Sequence, residues 1–174
     1  MVFVDGENFA MRYGGMLKAM GGTPRKTSGE VWCIPDVALW AQQLHVQQAH
    51  GQLTNVLRHY YLTSVQGDDA KLDEVETWLK GKRIEAPRVF KRDKNRGSKR
   101  VDISLTTEML THAHRKHFDV AILIAGDADY IPLVRAVQRE GARVHLWALS
   151  DGLSPQLVAA VDYSVVIDEI FGVG

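Results

Sequence analysis

The feature that most constrains the fold is a series of short, almost wholly apolar segments separated by segments with helical spacing. The clearest is 119–125, which reads Asp-Val-Ala-Ile-Leu-Ile-Ala. A continuous apolar run of this length is typical of a strand that is buried on both faces of a parallel sheet. We therefore predict a doubly wound α/β fold: a three-layer α/β/α sandwich with a mainly parallel sheet. With no linker or internal repeat, we expect a single domain over 1–174.

The predicted elements alternate along the chain. Strands are expected at 2–4, 55–62, 87–91, 119–125, 142–148 and 164–167. Helices are expected at 36–50, 68–80, from about Lys99 or Val101 to His117, at 131–140 and from Ser154. The Gly-rich stretch 14–29 is predicted to form a surface loop, and Trp32 and Cys33 are expected in a loop as well.

The composition excludes several classes of protein. No run of eighteen apolar residues occurs, so a membrane span is not expected. The single cysteine excludes an intramolecular disulfide and a cysteine-rich zinc site. The first residues, 1–5, carry an acid and no basic region, which argues against a secretory signal peptide. We expect a cytoplasmic protein that makes no contact with membranes.

Acidic side chains follow two of the predicted strands at the point where each strand ends. The first strand runs into Asp5, with Asn8 close behind, and the strand at 119–125 runs into Asp127 and Asp129. Ligands of open parallel sheets bind beyond the carboxyl ends of the strands. If the two strands are neighbours, these carboxylates converge, and Asp102 at the start of a predicted helix is a further candidate. Clustered carboxylates repel one another unless a cation lies between them, and Mg²⁺ or Mn²⁺ would suit such oxygen ligands and phosphodiester hydrolysis.

Each of these residues also has a purely structural interpretation. Asp5 could close a turn, and Asp129 could cap the following helix. Asn8 could support an Asx turn, while Asp102 could complement a helix dipole. Two acidic strand ends at one sheet edge favour a metal site over turn chemistry alone.

The positive charge is concentrated in one part of the chain. Lys and Arg number 21, as do Asp and Glu, but 80–100 contains ten basic residues and two acids. This basic segment leads directly into Asp102. A cationic stretch beside an acidic pocket would hold a phosphodiester backbone, although a solvated loop is the alternative. The candidate backbone contacts are Lys91, Arg92, Lys94, Arg96, Lys99 and Arg100.

Three motifs occur in a specific order. They are Val-Asp-Gly-Glu-Asn-Phe at 4–9, Lys-Arg-Val-Asp-Ile-Ser-Leu at 99–105 and Ala-Ile-Leu-Ile-Ala-Gly-Asp-Ala-Asp-Tyr at 121–130. A weaker match follows at 154–163. With these motifs the chain resembles the NYN domain family, a branch of the PIN-like, or flap-nuclease-like, nucleases.

The resemblance implies the strand order 3-2-1-4-5 and a divalent-metal-dependent ribonuclease site. Ligands to Mg²⁺ or Mn²⁺ would be Asp5, Asp102, Asp127 and Asp129, with Asn8 as their polar partner in catalysis. Glu108 stands where many members have Asp. Six helical residues rotate Glu108 by about 240° from Asp102, so we expect it to support the site indirectly or to be structural. The family's usual serine before the Gly-Asp pair is replaced by Ala125.

The expected function is therefore hydrolysis of RNA phosphodiester bonds at a carboxylate cluster, with single-stranded or structured RNA as the partner. The alternative is a catalytically weak NYN-fold module that binds RNA or another protein. Phosphoryl chemistry on a small molecule fits the order of the motifs less well. The sequence is compatible with a homodimer.

Overall fold

The computed structural model describes residues 1–22, 31–40, 58–92 and 99–171. Its strands are β1 (Val2–Asp5), β2 (Val31–Ile34), β3 (Val37–Trp40), β4 (His59–Val65), β5 (Ala86–Lys91), β6 (Val120–Ile124), β7 (Arg143–Ala148) and β8 (Tyr163–Val166). Its helices are α1 (Gly6–Ala19), α2 (Asp69–Gly81), α3 (Lys99–His114), α4 (Ile131–Arg139) and α5 (Pro155–Ala160). Short 3₁₀ turns lie at Ala128–Tyr130 and Asp168–Phe171.

The main sheet has six strands in the order β5-β4-β1-β6-β7-β8, and every pairing in it is parallel. Numbered along the chain within this sheet, the order is 3-2-1-4-5-6. β1 and β6 are therefore neighbours, and Val4 lies in register with Ile124. The carboxyl ends of the two acid-bearing strands meet at one edge, so the predicted mainly parallel α/β fold is confirmed.

Side chains that alternate along the central strands build a core on each face of the sheet. Phe3 of β1 packs in the layer formed with α3, α4 and α5. Its neighbours Val2 and Val4 pack in the opposite layer with α1, α2 and β3. Burial on both faces explains why the strand segments read as continuous apolar runs. No helix in the described ranges is long and apolar enough to cross a membrane.

The loop prediction for the Gly-rich stretch is wrong at its start, because Gly14 and Gly15 lie within α1. Each glycine weakens a helix by about 1 kcal/mol relative to alanine. Two interactions oppose that loss. The Asp5 side chain caps the helix, and Phe9, Tyr13 and Met16 recur at helical spacing and are buried against the sheet.

The helix predicted from Asp36 is wrong over 37–40, which form β3 of an antiparallel β2–β3 hairpin. Trp32 and Cys33, expected in a loop, lie in β2. Asp36 adopts a left-handed φ of 67° in the tight turn between the strands. All four β3 residues are buried beneath α1. Packing and strand pairing decide the conformation of this short apolar run, whose spacing also suits a helix.

The other predicted strands and helices in the described ranges are confirmed, with ends that shift by a few residues; α3, for example, ends at His114 instead of His117. Some predictions fall outside the described residues. They are the remainder of the Gly-rich loop (23–29), the helix over 41–50, the strand start at 55–57, and the backbone contacts of Lys94 and Arg96.

Candidate active site

Asp5 lies at the junction between β1 and α1, at the carboxyl edge of the sheet. Its Oδ1 accepts the backbone N–H of Asn8 at 2.9 Å, which makes it the N-cap of α1. The residue is only 3 % exposed, so this carboxylate is withdrawn from solvent. Asp5 therefore has a structural role as a cap, but capping alone does not require the carboxylate to be buried, since Asp68 caps α2 from an exposed position.

Tyr130 joins Asp5 to a second carboxylate. Its hydroxyl lies 2.9 Å from Asp5 Oδ2 and 3.2 Å from Asp102 Oδ1. A hydroxyl carries one hydrogen, so it donates to one of these oxygens at a time. Asp5 and Asp102, hereafter the carboxylate pair, come from β1 and α3 and meet around a tyrosine held by the 3₁₀ turn after β6.

The electrostatics of the carboxylate pair oppose its double ionisation. Burial raises the pKa of Asp5 to about 6, and the charges of Asp102 and Glu7 act in the same direction. The hydrogen bonds from Asn8 and Tyr130 act against this rise. Burial likewise raises the pKa of the Tyr130 hydroxyl, with Asp5 and Asp102 adding to it. The site holds negative charge at an energetic cost, which a cation or another positive group would relieve.

Asp127 and Asp129 follow β6, the strand beside β1, and both are exposed. Asp127 Oδ1 accepts the Asp129 backbone N–H at 3.3 Å and caps the 3₁₀ turn. Asp129 lies within that turn, and α4 has no side-chain cap. The Asp129 carboxylate therefore does not cap α4, and the cap at this strand end is Asp127, which caps the 3₁₀ turn.

The start of α1 also approaches the end of β6. Asn8 Oδ1 lies 3.6 Å from the position that a Cβ atom would occupy at Gly126. A Cβ there would be in ordinary contact with Asn8, but it would press on the carbonyl oxygen of Gly152 at 3.3 Å. The glycine before Asp127 therefore permits the close approach of the backbone at Gly152, and the Asn8 side chain lies beside the same strand end.

Arg12 is a basic residue near this edge that the sequence analysis did not single out. It lies one helical turn beyond Asn8, its guanidinium packs over Gly152, and its Nη1 is 3.7 Å from Asp151 Oδ2. Among the described residues, its buried Nε has no hydrogen-bond partner. The four-residue spacing between Asn8 and Arg12 could have placed both side chains on one helix face, but only if 6–19 had been predicted as a helix.

The oxygen ligands at this edge are of the type that a divalent cation needs. Carboxylate oxygens suit Mg²⁺ or Mn²⁺, and Mg²⁺ is often held by one or two carboxylates together with water and substrate phosphates. The carboxylate pair fits that pattern. Within the described ranges, no group of three or more acidic, histidine or cysteine side chains is arranged to hold one ion. Asp127 and Asp129 thus do not form a preassembled cage with the carboxylate pair.

Glu108 points away from the carboxylate pair, towards β5. It pairs with Arg88 at 3.5 Å and lies 3.9 Å from His112 Nε2. This placement agrees with the helical rotation that separates Glu108 from Asp102, and it puts Glu108 in contact with β5.

The described members of the predicted backbone contacts divide into two groups. Lys91, Lys99 and Arg100 are exposed. Arg92 instead bonds to Ser64 Oγ at 3.1 Å and to the Ser64 carbonyl at 2.7 Å, and it reaches Asp36 of the hairpin turn at 3.0 Å. Arg92 therefore ties the β2–β3 hairpin to the end of β4, and its guanidinium is already engaged within the protein.

Comparisons with other proteins agree with this architecture. A crystal structure of a protein of unknown function, VPA0982 from Vibrio parahaemolyticus RIMD 2210633, is similar with a TM-score of 0.66 and 21% sequence identity. The similarity covers 98% of this chain and 93% of that chain, and at this identity it supports the fold. A search of curated proteins finds no match. The family model of the NYN domain matches residues 1–168. The chain belongs to the NYN domain family.

Proposed function

We propose that the protein is a divalent-metal-dependent ribonuclease whose reaction site is the carboxyl edge of the sheet around the carboxylate pair. Membership of the NYN family, which comprises PIN-like nucleases, supports a nuclease or RNA-related role and implies a nucleic-acid substrate. The observation that carries the finer proposal is the meeting of buried Asp5 with Asp102 around one tyrosine hydroxyl.

Asp5 and Asp102 would hold Mg²⁺ or Mn²⁺ on this proposal, and Asp127 and Asp129 would reach it from the neighbouring strand end. The bound ion would supply activation of water and stabilisation of charge on the phosphate. The Tyr130 hydroxyl lies between the two carboxylates and donates to one of them at a time. This position of the hydroxyl would keep the two acidic groups together at the edge of the sheet before a substrate arrives.

The polar and basic groups at the same edge would bind the RNA backbone. The Asn8 amide lies at the start of α1 beside the end of β6, where it can donate to a phosphate oxygen. Arg12 supplies positive charge one turn further on. Lys91, Lys99 and Arg100 extend that charge past α3, so phosphate contacts would make binding depend strongly on salt.

The experiment is cleavage of an end-labelled single-stranded RNA with Mn²⁺ by the wild type and by Asp5→Asn and Asp102→Asn. Asparagine keeps the shape and removes the charge. We expect each substitution to lower the rate by about a hundredfold or more, since it removes a group that binds the ion. The matched control is Asp73→Asn on the exposed surface of α2, which should cleave like the wild type.

Equal rates for the wild type and both site variants would contradict the proposal. RNA binding that is unchanged in EDTA, with no cleavage in any divalent metal, would instead support the alternative of a binding module. Hydrolysis of a generic phosphomonoester that Asp127→Asn abolishes would support small-molecule phosphoryl chemistry.

A further inference from the structure

A groove of about 260 Å³ lies between the edge strand β5 and α3, on the flank of α3 that faces away from α4. We call it the side groove. Its lining consists of Arg88, Phe90, Ile103, Ser104, Thr107 and Glu108. It is separate from the carboxylate pair, because Asp102 points to Tyr130 on the other flank of the helix.

The side groove combines exposed apolar surface with positive charge. Ile103 is 65 % exposed, whereas Val101 and Leu105, its apolar neighbours on α3, are fully buried. Phe90 is half-buried, and the guanidinium of Arg100 lies 5.4 Å from its ring centroid. A planar cation stacked beside an aromatic ring and an exposed aliphatic side chain form an apolar surface bordered by positive charge.

Hydrogen-bonding groups line the remainder of the groove. Thr107 Oγ1 donates to the Ile103 carbonyl at 2.8 Å, which leaves the hydroxyl oxygen able to accept a hydrogen bond. Arg88 is half-exposed at the other side, where it is held by Glu108. Exposed Lys91 and Lys99 lie at the ends of the two elements that form the groove. The apolar surface suits the face of a nucleobase, and the polar groups suit its exocyclic groups. The surrounding cations suit the phosphates of the same nucleotide.

We propose that the side groove binds an unpaired nucleobase of the RNA strand whose backbone crosses the carboxyl edge to the carboxylate pair. This inference rests on the proposed function. β5 lies two strands from β1, which at about 4.8 Å per strand is a separation of about 10 Å. A short single-stranded segment can span that distance. The bases of a duplex are stacked and paired, so duplex RNA would not offer a base to the groove.

The test measures RNA binding without cleavage, by fluorescence anisotropy in EDTA. Two labelled single-stranded probes have the same number of phosphates, but the second has abasic sites in place of its central bases. The variants are Ile103→Ala, which places a good helix former on an exposed surface, and Phe90→Leu, which keeps most of the buried volume. The matched control is Met11→Ala, since Met11 is 59 % exposed on α1.

We expect the wild type to bind the normal probe more tightly than the abasic probe. Ile103→Ala and Phe90→Leu should each weaken binding of the normal probe by about fivefold or more and leave binding of the abasic probe unchanged. Met11→Ala should change neither. Arg100→Gln should weaken binding of both probes and lower the slope of affinity against salt by about one, as expected for a lost phosphate contact.

Equal affinity of the wild type for both probes, no binding of either probe, or variants that bind like the wild type would each overturn the inference. Sedimentation of Ile103→Ala tests whether a second copy of the chain occupies the groove instead. A changed oligomeric state together with unchanged RNA binding would show that the groove is a contact between copies. The two proposals fail separately. If the groove variants weaken RNA binding as expected but the protein cleaves no RNA, only the proposed ribonuclease activity is contradicted. If the protein cleaves RNA but the groove variants bind like the wild type, only the proposed base-binding site is contradicted.

Discussion

Replacing Asp5 by Asn should make the metal-free protein more stable at neutral pH. Burial raises the pKa of Asp5 from 3.8 to about 6. A raised carboxyl pKa means that the folded state binds the proton more tightly than the unfolded state does. The contribution of the Asp5 carboxyl to stability is therefore fully present below about pH 4 and is lost as the pH rises through about 6. At about 1.4 kcal/mol per pKa unit, the loss amounts to about 3 kcal/mol.

Asn cannot ionise, so Asp5→Asn should avoid this loss. It should also keep the cap on α1, because Asn and Asp are equally good N-cap residues. Urea unfolding in EDTA should show equal stability of the two proteins near pH 4 and an advantage of up to about 3 kcal/mol for the variant near pH 7. Adding Mn²⁺ at pH 7 should then stabilise the wild type and leave the variant unchanged.

The exposed carboxylate of Asp73 supplies the control. Asp73→Asn should follow the wild type at every pH, which separates the effect of a buried charge from that of a change in net charge. A constant difference between Asp5→Asn and the wild type across this pH range would refute the reasoning. A variant that is less stable than the wild type near pH 7 would refute it as well.

Two further predictions concern the elements that support the site. In Gly6→Ala, the added Cβ would lie 2.3 Å from Cε1 of Tyr61, whose buried hydroxyl donates to the Ala38 carbonyl, so urea unfolding should show a loss of about 1–3 kcal/mol. Gly14→Ala on the same helix meets open space and should gain about 0.5–1 kcal/mol; the reverse order of stabilities would contradict this packing. Tyr130→Phe removes the hydroxyl between Asp5 and Asp102 and should cost about 1–3 kcal/mol near pH 7 in EDTA, whereas unchanged unfolding would show that the hydroxyl does not support the pair.

The strands of the central sheet were predictable from the sequence because they depend on local patterns. The run at 120–125 is apolar on both faces, which is typical of a strand in a parallel sheet covered on both sides. Given the strand order, the meeting of Asp5 with the end of β6 follows. The position of Asp102 beside Tyr130 could not be predicted in the same way, because this contact depends on how α3 packs across the sheet.

The features that the sequence did not predict depend on contacts between distant parts of the chain. The run 37–40 is compatible with a helix or a strand, and pairing with 31–34 makes it a strand. The helix over 6–19 tolerates Gly14 and Gly15 because its apolar side is buried, and without that helix Arg12 could not be placed beside Asn8. The sequence also could not separate Arg92, which is bonded to the hairpin turn, from its exposed basic neighbours.

The most direct test of the central claim is the location of Mn²⁺ in a crystal of the protein soaked in that ion. The proposed ribonuclease site predicts an anomalous peak at the carboxyl edge of the sheet, in contact with both Asp5 and Asp102. A peak elsewhere, or an edge that stays empty at saturating Mn²⁺, would contradict it.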